Sequence, residues 1–144
     1  MSNGAASKAS YQDIVAQSVE ALRHELVDIS LDIHSHPELN YQEHHAAAVL
    51  SDALERHGFA VERGVGGVET AFRGTLQGGA GDGPTVAILA EYDALPEVGH
   101  GCGHNLIAIS ALGGGLGAMA AMGSLPGRLV VIGTPAEEGG GGKI

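Results

Sequence analysis

Two short stretches of this 144-residue chain set metal-ligating and proton-handling side chains next to one another. The first reads Ala90-Glu91-Tyr92-Asp93-Ala94-Leu95-Pro96 and runs on through Glu97-Val98-Gly99-His100-Gly101-Cys102-Gly103-His104-Asn105. Cys102 and His104 alternate with glycines, so the backbone can fold closely around an ion while a thiolate and an imidazole point at it. The second stretch reads Gly133-Thr134-Pro135-Ala136-Glu137-Glu138, followed by Gly139-Gly140-Gly141-Gly142-Lys143. Adjacent carboxylates permit two jobs, one binding a metal and one handling the proton of the water it activates. Taken singly, each feature has an ordinary explanation. Cys102 could be a small buried side chain, His104 a loop hydrogen-bonding group and the Glu pair a solvated surface. Their occurrence together, at the ends of two buried strands that read as neighbours, favours a site.

The elements that must position these residues are legible as patterns. Val15, Val19, Leu22, Leu26, Ile29 and Ile33 recur at steps of four and three, which predicts one amphipathic helix over residues 11–34. Pro37 breaks it, and a second helix is expected from Gln42 to a stop at Gly58. Residues 59–63 and 70–76 read as paired strands about a Gly-rich turn. The apolar run over 85–90 predicts a strand covered on both faces, and residues 128–132 repeat it after a helix over 106–122. Strand, helix, strand implies an α/β layer, whose functional groups gather beyond the carboxyl ends of the central strands. The loops in that position are 91–104 and 133–142.

Composition narrows the function classes. With 44% apolar and 17% charged residues the chain is globular, and 17 acidic against 7 basic groups give a formal charge of -10 that repels nucleic acid. The sole cysteine, Cys102, excludes an intrachain disulfide framework and fits a reducing cytoplasm. Residues 1–10 read as a disordered tail without a secretory signal, leaving 11–144 as the folded part. The uncharged stretch 105–127 raises the question of a membrane span, but a helix buried against a sheet explains the same composition. Two phosphate-binding patterns fail on context. The glycines from Gly113 to Gly117 fall inside a predicted helix, and Ile144 stands where a phosphate loop after Gly139–Lys143 needs Ser or Thr. His24, His44, His45 and His57 read as surface residues of the helical opening.

His36-Pro37-Glu38-Leu39 with Glu43, Asp93-Ala94-Leu95-Pro96, His100-Gly101-Cys102-Gly103-His104-Asn105 and Pro135-Ala136-Glu137-Glu138-Gly139 occur in that order. The ordered set resembles the M20 metallopeptidases, in particular the amidohydrolase branch with hydrolases of aminoacyl amides, indole-acyl amino acids and aminobenzoyl-glutamate. That resemblance implies the N-terminal part of a zinc-peptidase-like catalytic domain, with helices packed on a mixed β-sheet. It implies Cys102, His104 and Glu138 as metal ligands, Glu137 as general base, and Asp93 and His100 as supports behind them. It further implies two divalent ions, zinc or manganese, and attack of metal-activated water on an amide, with Glu137 passing the proton to the departing amine. Some relatives deaminate aryl amines such as nitroanthranilate, so the substrate is expected to be a small amide or an aryl amine. Relatives of this kind continue with further His ligands, more strands and a lid or dimerisation domain. The chain is therefore expected to need the rest of the polypeptide or a companion chain, and by analogy to form a homo-oligomer. The competing expectation is an inactive fragment or assembly partner.

Overall fold

The computed structural model describes residues 10–144. The tail expected over residues 1–10 lies, apart from Ser10, outside the described residues. The chain forms helices α1 (Tyr11–Ala21), α2 (Arg23–Ser35) and α3 (His44–Arg56), then strands β1 (Ala60–Arg63), β2 (Phe72–Gln77) and β3 (Thr85–Ala90). Helix α4 (His104–Met122) and strand β4 (Arg128–Gly133) complete it, with a short 3-10 turn at Val65–Gly67. The four strands make one mixed sheet in the order β1-β2-β4-β3, antiparallel except for the parallel pair β3–β4.

The opening helix expected over 11–34 is two helices. At Leu22 the backbone leaves the helical region, with φ −92° and ψ 1°, and its N–H is shared between the carbonyls of Ser18 and Val19. The break re-aims the chain so that both segments follow α4: Val15 and Val19 lie over Gly117, and Leu26 lies over Gly113. Helix α3 starts where a side chain supplies acceptors. The carboxylate of Glu38 takes the N–H groups of His45 (2.9 Å) and Ala46 (3.0 Å), which have no partner inside the helix.

Both α3 and α4 sit on one face of the sheet. Gly74 meets Leu54 of α3, Gly115 meets Val131, and Gly74 and Val131 are register partners that share a face. Between the layers lie Ile33, Leu50, Leu54, Phe59, Phe72, Leu112, Leu116 and Val131. Strand β4 is central and largely buried, whereas β3 departs from the expected two-sided cover. Among the described residues it forms the sheet edge, and Val86 (56%) and Leu89 (47%) are exposed. An apolar run reports a strand's neighbours on the helix side and along the sheet, and cannot tell an edge from a centre.

Helix α4 is long and apolar enough to cross a membrane by composition alone, yet it packs between the sheet and α1–α2. Its glycines explain how. A Cβ on Gly115 would lie 2.6 Å from Val131 Cγ2, and one on Gly117 would lie 2.7 Å from Val19 Cγ2. Helical glycine costs roughly 0.5–1 kcal/mol relative to alanine, here offset by the close approach of two layers. Gly115→Ala is therefore expected to destabilise the fold by about 1–2 kcal/mol, because crowding a stiff buried valine outweighs the gain in helix propensity. Gly114→Ala, whose Cβ would meet Ile88 at an ordinary 3.6 Å, is expected to be neutral or stabilising by up to about 1 kcal/mol. Urea midpoints of the two variants, read at unchanged slope, check this.

Candidate metal centre

The parallel pairing of β3 with β4 puts Ala90 opposite Gly133, so the loops that follow leave the sheet side by side. Thr134 N–H extends that pairing by one rung to the Ala90 carbonyl at 2.8 Å. A Cβ on Gly133 would collide with the ring of Phe72, which stacks on Tyr92 at 5.8 Å between centroids. Tyr92 is fully buried, its hydroxyl donates to the Thr70 carbonyl at 2.7 Å, and burial pushes its phenol pKa far up. The end of the sheet is thus closely packed where the chemistry-bearing loops begin.

Asp93 is wholly buried and joins the two loops. His104, the first residue of α4, hydrogen-bonds the Asp93 carbonyl through Nδ1 at 2.9 Å, and Asp93 Oδ1 lies 3.0 Å from the same nitrogen without a hydrogen-bond partner. A carbonyl only accepts, so Nδ1 carries a proton, and in the neutral ring that leaves the lone pair on Nε2. Asp93 Oδ2 accepts the backbone N–H of Glu138 at 2.9 Å. The Asn40 amide, oriented by its partners, donates to the same oxygen at 3.1 Å and accepts from Gly139 N–H at 3.2 Å.

Around His104 Nε2 stand three carboxylates: Glu91 at 3.7 Å, Glu137 at 3.8 Å and Glu138 at 3.8 Å. These separations exceed hydrogen-bond reach and suit donor atoms that share an ion through bonds of about 2.0–2.2 Å. Two overlapping triads result, Cys102–His104–Glu138 and Glu91–His104–Glu137, each with its donor atoms within 4.8 Å of one another. Thiolate, imidazole and carboxylate are the ligand types of zinc-class ions, and the excess of negative charge calls for a cation. Within the described residues Lys143 supplies part of it. Its ammonium is bonded to Glu91 and lies 3.4 Å from Glu137, and the Glu91 contact raises its pKa above the ordinary lysine value.

The structure therefore brings Cys102, His104, Glu137 and Glu138 together with Asp93 behind them. His100 stands apart. It is buried, its ring lies 6.2 Å from that of His34, and neither ring nitrogen has a hydrogen-bond partner. Burial, and then His34, lower its pKa from the ordinary histidine value. The sequence reading assigned no role to Glu91, Lys143, Asn40, Tyr41 or Glu43. Glu91 was recoverable, since it lies two residues before Asp93 in the same loop.

Glu43 and its neighbours hold the second loop in shape. The fully buried Glu43 carboxyl accepts Ala136 N–H at 2.8 Å and the Thr70 hydroxyl at 3.0 Å. Ala136, immediately before the Glu pair, has φ +56°, a left-handed conformation that alanine rarely takes. Tyr41, at φ +61°, donates its hydroxyl to the Gly140 carbonyl at 2.7 Å. The Gly run is a packing feature as well. Cβ atoms on Gly139, Gly140 and Gly142 would lie 2.3 Å from the Asn40 amide, 2.5 Å from the Tyr41 ring and 2.0 Å from the Pro135 carbonyl.

No family model matches the chain. It is 40% identical to the Xaa-Arg dipeptidase of Homo sapiens, over 90% of this chain and 33% of that protein. It is 34% identical to a subunit of the p-aminobenzoyl-glutamate hydrolase of Escherichia coli, over 90% of this chain and 30% of that protein. Among solved structures it is similar to a Bacillus subtilis protein described as a dinuclear metal binding peptidase from the M20 family. The TM-score is 0.75 at 28% identity, over 83% of this chain and 36% of that one. The chain thus spans about a third of the length of the curated relatives it matches.

Asp93→Asn tests the geometry directly. His104 Nδ1 faces one side-chain oxygen of Asp93 and the Glu138 and Asn40 N–H groups face the other, so an amide would set its NH2 against one of these donors. The expected result is a folded protein whose affinity for zinc falls by about 10–100-fold, measured by competition with a chromophoric chelator. Unchanged affinity would remove Asp93 from the account.

Proposed function

The chain belongs to the M20 peptidase family, and from that premise we propose that the residues around His104 form part of a two-metal site that hydrolyses a C–N bond. The observation that carries the proposal is His104 itself, its Nδ1 pinned by Asp93 and its Nε2 turned toward three carboxylates. Cys102, His104 and Glu138 would hold metal, and Glu91 lies close enough to take part. Two divalent ions, zinc or manganese, would supply Lewis acidity toward the substrate carbonyl and acidify the attacking water.

The remaining work falls to side chains of this chain. Glu137, with its side chain a third exposed, is free to take the proton that the water gives up and return it to the leaving nitrogen. The Asp93 carbonyl keeps His104 in the tautomer that can ligate and the Asp93 carboxylate fixes the backbone of Glu138, so neither ligand need reorganise. Lys143, in reach of both Glu91 and Glu137, tempers the repulsion between them. The substrate class is a small amide: an N-acyl amino acid, aminobenzoyl-glutamate or a dipeptide-like molecule. On this reading residues 11–144 are the amino-terminal part of the catalytic domain. The rest of the polypeptide or a companion chain supplies further ligands and the pocket walls, the assembly is a homo-oligomer, and a reducing cytoplasm keeps Cys102 as a thiol.

Base and ligand should fail differently. In the complete enzyme Glu137→Gln is expected to retain its metal while kcat falls by at least about 100-fold, whereas Glu138→Ala is expected to lose metal. Metal content by atomic emission, measured beside turnover of an N-acyl amino acid, separates the two. Equal metal loss in both variants would overturn the division of roles.

A further inference from the structure

We propose a second divalent-metal site, at the junction of α2 and α3, built from Asp32, His36 and His45. Asp32 and His36 are four residues apart at the end of α2, and so share a helix face. His45, the second residue of α3, comes from the other side of the turn. Asp32 stands between the imidazoles: its Oδ2 is hydrogen-bonded to His45 Nε2 at 2.9 Å, its Oδ1 lies 3.2 Å from His36 Nδ1, and its carbonyl lies 2.9 Å from that same nitrogen. The two rings are 4.5 Å apart between centroids, and one donor atom from each residue lies within 4.8 Å of the other two.

An imidazole ligates through a nitrogen that carries no proton, so an ion bound here takes the place of the hydrogen-bonded protons that now join the rings to Asp32. Two imidazoles and a carboxylate are the donor set of open transition-metal sites, whose remaining positions are taken by water. Asp32 (38%), His36 (56%) and His45 (39%) are exposed enough to admit an ion with its waters. A single carboxylate with two nitrogens is a poor match for calcium or magnesium, which demand oxygen. The ion is therefore of the zinc class. The frame is already set: Glu38 caps the turn that carries His45, and its carbonyl accepts Ala94 N–H at 2.8 Å. The Ser35 hydroxyl lies 3.1 Å from His36 Nδ1. The cluster shares no residue with the one around His104, so its occupancy is independent of the hydrolase reading. A metal here would tie α2 to α3 and stabilise the fold by mass action.

The test is a zinc titration, against a competing chelator, of the chain carrying Cys102→Ala and His104→Ala, which breaks both triads of the first cluster. The expected result is one zinc per chain and a raised melting temperature in its presence. Adding His45→Ala should weaken that binding at least about tenfold and abolish the thermal shift. Asp32→Asn, which keeps the side chain's size, should do the same and guards against a folding defect in the His45 variant. Should the double-substituted background prove unstable, a loss of one zinc equivalent between the parent and Asp32→Asn reads out the same site. No zinc uptake by the folded background, or uptake that survives both His45→Ala and Asp32→Asn, would overturn the proposal.

Discussion

One buried carboxylate, that of Asp93, organises the site from its centre. Its two oxygens face different loops, one toward the imidazole that begins α4 and the other toward the backbone of Glu138. Because Asp93 is fully buried, these contacts lie in a low-dielectric interior: Oδ2 is held by the Glu138 N–H, the Asp93 carbonyl holds His104 Nδ1, and Oδ1, 3.0 Å from that nitrogen, has no hydrogen-bond partner of its own. The imidazole is thereby oriented, its tautomer is set, and the ligand carboxylate is delivered to the same side. The parallel register of β3 and β4 makes this possible by starting the two loops at neighbouring rungs.

The second loop and the α2–α3 turn that holds it pay for their shape in backbone strain. Ala136 and Tyr41 both take left-handed conformations, and such outliers cost on the order of 1–3 kcal/mol each. They persist because the surroundings over-determine them. Glu43 holds the Ala136 N–H, Tyr41 bonds to Gly140, and Asn40 bridges Asp93 and Gly139. The turn between α2 and α3 is therefore the mould in which the Glu137–Glu138 loop is set. The same turn positions His36 and His45, so one short connection organises both clusters.

Much of this was legible in the sequence. Alternating glycines around Cys102 and His104, and the Glu pair after a buried apolar run, marked both loops, because ligand chemistry and strand burial leave local signatures. The strand–helix–strand pattern pointed to the parallel pair that joins them. What escaped is non-local. Glu43 sits 93 residues before Ala136, its hydrogen-bond partner, and a lone Glu ahead of a helix carries no sign of that. The break at Leu22 falls inside an unbroken apolar period, and only the path of α4 requires it. The glycines of α4 could be seen to lie in a helix, but their reason, contact with Val131, Val19 and Leu26, needed the packing.

The most direct test of the account is X-ray absorption at the zinc edge on the metal-loaded complete polypeptide. The account predicts a sulfur scatterer at about 2.3 Å, alongside nitrogen and oxygen at about 2.0–2.2 Å, with the sulfur shell vanishing in Cys102→Ser. A zinc environment of nitrogen and oxygen alone in the unsubstituted protein would contradict it, since Cys102 would then stand outside the metal centre.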